Sequence, residues 1–134
     1  NIPIQRISEI IGTEVTGVDD ITEVEDDTPG VLCVLTNKDD DWLLLVQINW
    51  IDAKQYYQSL KSFFLENEAQ VVNVPGLGES AFLSSLIGGD RIEVLVILHK
   101  GYLIDIQPGI VDDWFAIEKL KKIGAVFVED FNSP

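Results

Sequence analysis

The stretch that decides the fold is Val74-Pro75-Gly76-Leu77-Gly78-Glu79-Ser80-Ala81, together with the two apolar runs that follow it at 92–99 and 102–107. Its proline and glycines are typical of a turn, where glycine can adopt a positive φ. Lys100-Gly101 separates the two runs and predicts a hairpin of two strands. Because the link is so short, the two strands must be antiparallel.

Periodicity and capping residues place the other elements. Apolar residues recur at helical spacing from Ile4 to Ile11, and Gly12 is a natural residue to end that helix. The clearest helix begins at Asp52, a good N-cap, and Gln55 completes a capping-box pattern. We further predict strands at 13–18, 31–36, 42–50, 71–74 and 81–86, and a last helix from Asp112 or Asp113 to Gly124.

The helix after Asp52 carries one apolar stripe. Its members recur at the spacings that place side chains on a single helical face. They are Ala53, Tyr56, Tyr57, Leu60, Phe63 and Phe64. The regular spacing predicts that all of them pack in the core.

The order of the elements indicates the fold class. We expect α-β-β-β-α-β-β-β-β-α within a single domain of 134 residues. Short links between strands favour an antiparallel sheet with its helices segregated to one face. The sequence therefore predicts an α+β fold of two layers, with a mainly antiparallel sheet of about six or seven strands and helices on one face. Residues 4–124 are expected to form the compact core and 125–134 a C-terminal tail.

Two of the predicted strands are apolar on both faces. Residues 43–46 and 94–98 do not alternate, whereas a strand with one solvated face alternates apolar and polar side chains. The second face must therefore be covered, by a helix, by a partner or by a second copy of the chain. A protein partner or a homodimer that uses this apolar sheet face is the interaction that the pattern indicates.

The charge restricts the partners. Nine Lys and Arg residues stand against 23 Asp and Glu residues, which gives a net charge of −14. Such a field disfavours nucleic acid and anionic membrane surfaces, and it suits a solvated acidic coat or a cationic partner. No apolar run is long enough for membrane insertion, so we expect a soluble domain. The single cysteine, Cys33, lies in an apolar run and is expected to be buried and inert.

Few residues suggest chemistry. His99 is the only histidine, and no recognisable nucleophile motif accompanies it. The glycines at 76 and 78 lack the third glycine and the lysine of phosphate loops. The aspartates at 19–20, 26–27 and 39–41 lack the spacing of a calcium loop, so no metal or cofactor is predicted. Trp42 is an interface candidate if it is exposed. The candidate interaction or ligand-proximal residues are Trp42, Gly76, Leu77, Gly78, Glu79 and His99.

The motifs together resemble a family of surface lipoprotein domains of unknown function found in actinobacteria and archaea. The resemblance is carried by Ile7-Ser8-Glu9-Ile10-Ile11-Gly12, Cys33, the helix at 57–64, the turn Gly76-Leu77-Gly78-Glu79-Ser80-Ala81 and the hairpin at 94–106 around Lys100-Gly101. It implies a module held outside the membrane by an N-terminal lipid, and it implies no catalytic residues. This chain departs from the family pattern because it has no second cysteine near the first helix.

The sequence therefore predicts a non-catalytic, extracytoplasmic binding or interaction module of a surface or envelope protein. Two alternatives remain open at this stage. One is a hydrolase that uses Glu79, Asp90 or His99, which requires a concave site where these groups converge. The other is an acidic inhibitor or regulator of a basic partner, whose affinity falls steeply with salt.

Overall fold

The computed structural model describes residues 3–21, 30–67, 70–85, 92–108 and 117–132. These residues form three helices and seven strands, with three strands between the first two helices and four between the last two. The helices are α1 (Ile4–Ile11), α2 (Ala53–Glu66) and α3 (Ile117–Asn132). The strands are β1 (Gly17–Ile21), β2 (Gly30–Thr36), β3 (Trp42–Asn49), β4 (Val71–Asn73), β5 (Ser80–Ser85), β6 (Ile92–His99) and β7 (Tyr102–Pro108).

The strands form one sheet in the order β1-β2-β3-β7-β6-β5-β4, in which every neighbouring pair is antiparallel. The predicted α+β class and the seven-stranded antiparallel sheet are thus confirmed. The predicted hairpin is also present, since His99 lies opposite Tyr102. The first strand begins at Gly17 and not at residue 13. Because β7 pairs with β3, the two halves of the chain meet in the middle of the sheet.

Helices α1 and α3 cover the first face of the sheet. This face bears the larger core cluster, in which Leu95 and Ile97 of β6 alternate with residues that point the other way. The helical and strand members include Ile7, Ile11, Leu120, Ile123, Phe127, Cys33, Leu35, Val46, Ile104 and Ile106. Cys33 is buried, as the sequence predicts.

Helix α2 covers part of the second face, so the prediction of two layers with helices on one face is wrong. Val94 and Val96 of β6 belong to a separate core cluster that also contains Tyr57 and Phe64 of α2. The physical reason is in β6 itself, because its side chains are apolar in both directions and each face needs a cover. Coverage by a helix was one of the alternatives that the sequence left open. On the second face, a helix of the same chain covers β5, β6 and β7.

Only part of the predicted stripe of α2 is core. Tyr57 and Phe64 are buried, whereas Tyr56 and Phe63 are 43% and 47% exposed. A helix lying on a sheet buries only one arc of its circumference, and these two side chains lie at the edge of that arc. The predicted capping box is not formed either, because Asp52 has a φ of 53° and its side chain makes no capping hydrogen bond.

Helix α3 extends beyond its predicted end at Gly124. It continues to Asn132, and Val126 and Phe127 are buried, so the chain beyond Gly124 continues as a helix that packs on the core and is not a tail. Gly124 is needed for close packing, because a Cβ atom there would lie 2.7 Å from Leu95 Cδ2. The predicted start of this helix, at Asp112 or Asp113, lies outside the described residues.

Candidate functional site

The turn from Val74 to Ala81 is built from two glycines in the left-handed region. Gly76 has a φ of 79° and Gly78 a φ of 62°. Gly78 also lies against β6, since a Cβ atom there would come within 2.8 Å of Ile97 Cγ2. Leu77 is buried in the first-face cluster. Three of the predicted site residues therefore shape and anchor the turn.

Glu79 connects this turn to the β6–β7 hairpin. Its backbone N–H donates to the Leu98 carbonyl oxygen at 2.9 Å, and its Oε2 accepts a hydrogen bond from the Lys100 backbone N–H at 2.8 Å. Lys100 has a φ of 49°, a conformation that is costly for a residue with a side chain. The Glu79 carboxylate thus stabilises the hairpin turn.

The remaining two predicted site residues lie apart from each other in the sheet. His99 is half-buried at the end of β6, next to the hairpin turn. Trp42 is 46% exposed at the start of β3, where it pairs with Thr36. The structure therefore brings the glycine turn, Glu79 and His99 together around one hairpin, and it places Trp42 elsewhere.

A cleft of about 560 Å³ opens between this hairpin and the N-terminal end of α2. Trp50, which is 44% exposed, lies on its wall with Glu79, Leu98 and Gly101. The rest of the lining is mostly polar and includes Asp52, Lys54, Gln55 and Gln58. We call this the Trp50 cleft. Its volume falls within the range of about 300–1,000 Å³ that small-molecule sites occupy.

A second functional candidate, Asp105, was not predicted. It lies on the second face of β7, between Gln47 of β3 and Val96 of β6. Burial raises the pKa of its carboxyl from 3.8 to about 6, and the hydrogen bond from Gln107 acts in the opposite direction. An ionised carboxyl group in a central strand reduces the stability of the fold unless it is paired, because it is desolvated. Because groups with strongly shifted pKa values cluster at functional sites, Asp105 is a candidate functional residue.

The sequence contains a signal for each of the two missed residues. Trp50 directly follows a strand and precedes Asp52 at the start of a helix, where an aromatic ring is easily left at the edge of the fold. Asp105 interrupts the apolar run of β7 in the form Leu-Ile-Asp-Ile-Gln, from 103 to 107. Alternation then requires Asp105 and Gln107 to share a face, which the structure confirms through their hydrogen bond of 3.4 Å.

The other buried titratable group of the second face has a structural role. Tyr57 is buried at 4% exposure, and its hydroxyl lies 2.9 Å from Ser80 Oγ. Burial raises the pKa of this phenol, while the Ser80 hydroxyl lowers it. The pair attaches α2 to β5, and the ring packs edge-on against Phe82 with centroids 5.3 Å apart.

Within the ranges that the structure describes, no group of three or more His, Cys, Asp and Glu side chains could hold a metal ion. The Asp39-Asp40-Asp41 run instead closes the β2–β3 hairpin. There the Asn37 side-chain oxygen accepts hydrogen bonds from the backbone N–H groups of Asp39 and Asp41. None of the described helices combines the length and the apolar character that crossing a membrane requires.

Comparison with known proteins gives no further guide. The chain matches no protein-family model, no curated protein and no solved structure. Function must therefore be argued from the Trp50 cleft and from Asp105.

Proposed function

We propose that this protein is a non-catalytic binding module that acts outside the cytoplasm and holds its ligand in the Trp50 cleft. The observation that carries the proposal is the exposed Trp50 ring at a cleft of about 560 Å³. An aromatic ring that is left 44% exposed in a cleft with several polar side chains offers a flat apolar platform to a ligand.

The lining residues support a ligand that is both polar and flat on one side. Asp52 and Glu79 supply acceptors, Lys54 supplies donors, and the Gln55 and Gln58 amides supply both. A saccharide ring has this character, because its hydroxyl groups donate and accept while its C–H face is apolar. We therefore propose a saccharide as the ligand class.

Binding has more support than hydrolysis by Glu79, Asp90 or His99. The Glu79 carboxylate already accepts the Lys100 backbone N–H at 2.8 Å, which gives it a structural role. His99 does not line the Trp50 cleft. Asp90 lies outside the described residues. A hydrolase requires these groups to converge on a substrate, and the described geometry offers Glu79 alone.

The extracytoplasmic part of the proposal is supported by the resemblance of the turn at 76–81 and the hairpin at 94–106 to surface lipoprotein domains. In that setting a saccharide ligand is chemically reasonable, since envelopes and extracellular matrices are rich in polysaccharide. The high acidity of the chain, with a net charge of −14, suits an uncharged ligand better than an anionic one.

The test uses two tryptophans of matched exposure at opposite ends of β3. Trp50 is 44% exposed in the cleft and Trp42 is 46% exposed outside it. Neutral mono- and disaccharides are titrated into the ¹⁵N-labelled protein, and the indole N–H signals are followed by NMR. We expect the Trp50 signal to shift with a saturable curve, and Trp50→Ala to weaken binding roughly tenfold or more.

The matched control is Trp42→Ala, which should bind the same saccharide within roughly twofold of the unmodified protein. Equal loss of affinity in the two variants would reject the cleft as the site. Saturable shifts at Trp42 with none at Trp50 would transfer the binding role to the other end of β3. Hydrolysis of an oligosaccharide during the titration would contradict the non-catalytic part of the proposal.

A further inference from the structure

Asp105 has no cationic partner among the described residues. Its one hydrogen bond is the long contact of 3.4 Å from Gln107 Nε2. The ion pairs between described residues involve Arg6 with Glu129 and Lys121 with Glu118, both far from it in the chain. Carboxylates that are partly withdrawn from water in this way are normally paired, because desolvation penalises the charged form. Within the described part of the chain, the site therefore lacks a cation that would compensate the charge.

Asp105 is half-buried on the second face, and the side chains around it are accessible to solvent. Leu32, Leu45 and Gln107 are partly exposed, and Gln47 is exposed. Their registers place all four on the same face as Asp105, in β2, β3 and β7. We call these five residues the Asp105 surface. Among the described elements, the main contacts of α2 with the sheet are those with β4, β6 and β7.

Helix α2 forms one side of this surface. Lys61 Nζ donates to Asn73 Oδ1 of β4 at 2.8 Å, which fixes the flank of α2 that faces the edge of the sheet. Tyr56 and Phe63 project from the opposite flank, at helical angles that direct them towards β7 and β3. Both rings are more than 40% exposed. Two exposed aromatic rings thus lie on the flank of α2 that faces away from β4.

We propose that the Asp105 surface binds the side chain of an arginine in a basic polypeptide partner. The guanidinium would pair with the Asp105 carboxylate, and its remaining N–H groups would donate to the amide oxygens of Gln47 and Gln107. The aliphatic stem of the arginine would lie between Leu32 and Leu45. This inference rests on residues other than those of the Trp50 cleft. Each of the two proposals can therefore be wrong without affecting the other.

The geometry favours arginine over lysine and a polypeptide over a small amine. A planar guanidinium has five donors, which match the carboxylate and two amide groups, and it stacks on aromatic rings such as Tyr56 and Phe63. The net charge of −14 attracts a basic chain and orients it as it approaches. The exposed rings also extend the contact beyond what one side chain fills, so neighbouring residues of the partner would pack on them.

The test compares Asp105→Asn with Asp39→Asn, which removes the same charge from the exposed β2–β3 hairpin. The probe is a short blocked peptide with one arginine between leucines, and a second peptide carries citrulline, the uncharged analogue, in its place. Dissociation constants come from calorimetry, and NMR follows the side-chain amides of Gln47 and Gln107. We expect Asp105→Asn to weaken the arginine peptide roughly tenfold or more and Asp39→Asn less than twofold.

Each outcome decides the proposal. It is supported if the arginine peptide shifts the Gln47 and Gln107 amides, the citrulline peptide does not, and Trp50→Ala leaves the affinity unchanged. It is overturned if both aspartate variants weaken binding alike, because general acidity then accounts for it. Equal binding of the two peptides, or no binding of either at millimolar concentration, also overturns it. Circular dichroism confirms that Asp105→Asn is folded.

Discussion

At the scale of the residue, Asp105 is the position where stability and function conflict. Its neighbours across the sheet are Gln47 and Val96, so the carboxylate has an amide on one side and an aliphatic group on the other. A hydrophobic residue would pack there at no electrostatic cost, as Ile104 and Ile106 do on the opposite face. Charged groups that reduce stability because they are desolvated are typical of functional sites.

The pH dependence of stability tests this view of Asp105. Burial raises the pKa of its carboxyl from 3.8 to about 6 in the folded protein. Well below pH 3.8 the group is protonated in both the folded and the unfolded states, so it does not reduce stability. As the pH rises from 3.8 to about 6, the unfolded state loses the proton that the folded state keeps, so the free energy of unfolding falls. Above 6 the folded state also ionises, and the loss of stability is complete.

We therefore expect Asp105→Asn to be more stable than the unmodified protein at about pH 8, by up to about 3 kcal/mol, and equally stable near pH 3.5. Urea unfolding at several pH values measures both quantities. A gain of the same size at both pH values would mean that the charge is not responsible. A loss of stability at about pH 8 would contradict the raised pKa.

At the scale of the element, the turn from Val74 to Ala81 has to satisfy two different physical conditions. Gly76 needs a positive φ but has no neighbour within 4 Å of a Cβ position. Gly78 needs a positive φ and also close contact with β6, where a Cβ atom would lie 3.0 Å from the Leu98 carbonyl oxygen. The first condition is purely conformational, whereas the second adds a packing constraint between two elements.

The two glycines make a matched pair of variants. Gly76→Ala should cost about 1 kcal/mol, since alanine is strained in the left-handed region. Gly78→Ala should cost about 1–3 kcal/mol more, since it also forces the turn away from β6. Thermal and urea unfolding report the difference. An equal loss of stability in the two variants would show that β6 adjusts to the added methyl group. The close contact between the turn and β6 would then not contribute to stability.

At the scale of the whole molecule, the sheet is covered differently on its two faces. Helices α1 and α3 bury the first face, and the exposed Arg6–Glu129 ion pair of 2.9 Å joins them. Helix α2 buries the β5–β7 part of the second face. The apolar character of β6 in both directions is thereby explained within one chain. A second copy is not needed to cover it.

We accordingly expect a monomer in solution at both low and high salt. Pairing two copies through the second face would bring two Asp105 carboxylates into one interface, where desolvation opposes association. Sedimentation equilibrium over a wide concentration range measures the mass. A dimer that persists at high salt would contradict this expectation. It would support the homodimer through an apolar sheet face that the sequence left open.

The sequence by itself determined the local structure and the class of the fold. The hairpin around Lys100-Gly101, the helix after Asp52 and the antiparallel sheet follow from periodicity and turn chemistry, which act over a few residues. The burial of Cys33 was readable in the same way. Glu79 and the glycines of the turn were also identified, although the Glu79 hydrogen bond to Lys100 and the close approach of Gly78 to β6 were not.

Only the tertiary structure decided how the elements cover each other. Periodicity states that β6 is apolar on both faces, but the helix that covers each face depends on chain crossings that no local pattern records. The same applies to α3, where Gly124 marks close contact with Leu95 and not the end of the helix. The position of Trp50 beside Glu79 and that of Asp105 beside Gln47 result from pairing between distant segments. The two candidate sites therefore came from long-range packing.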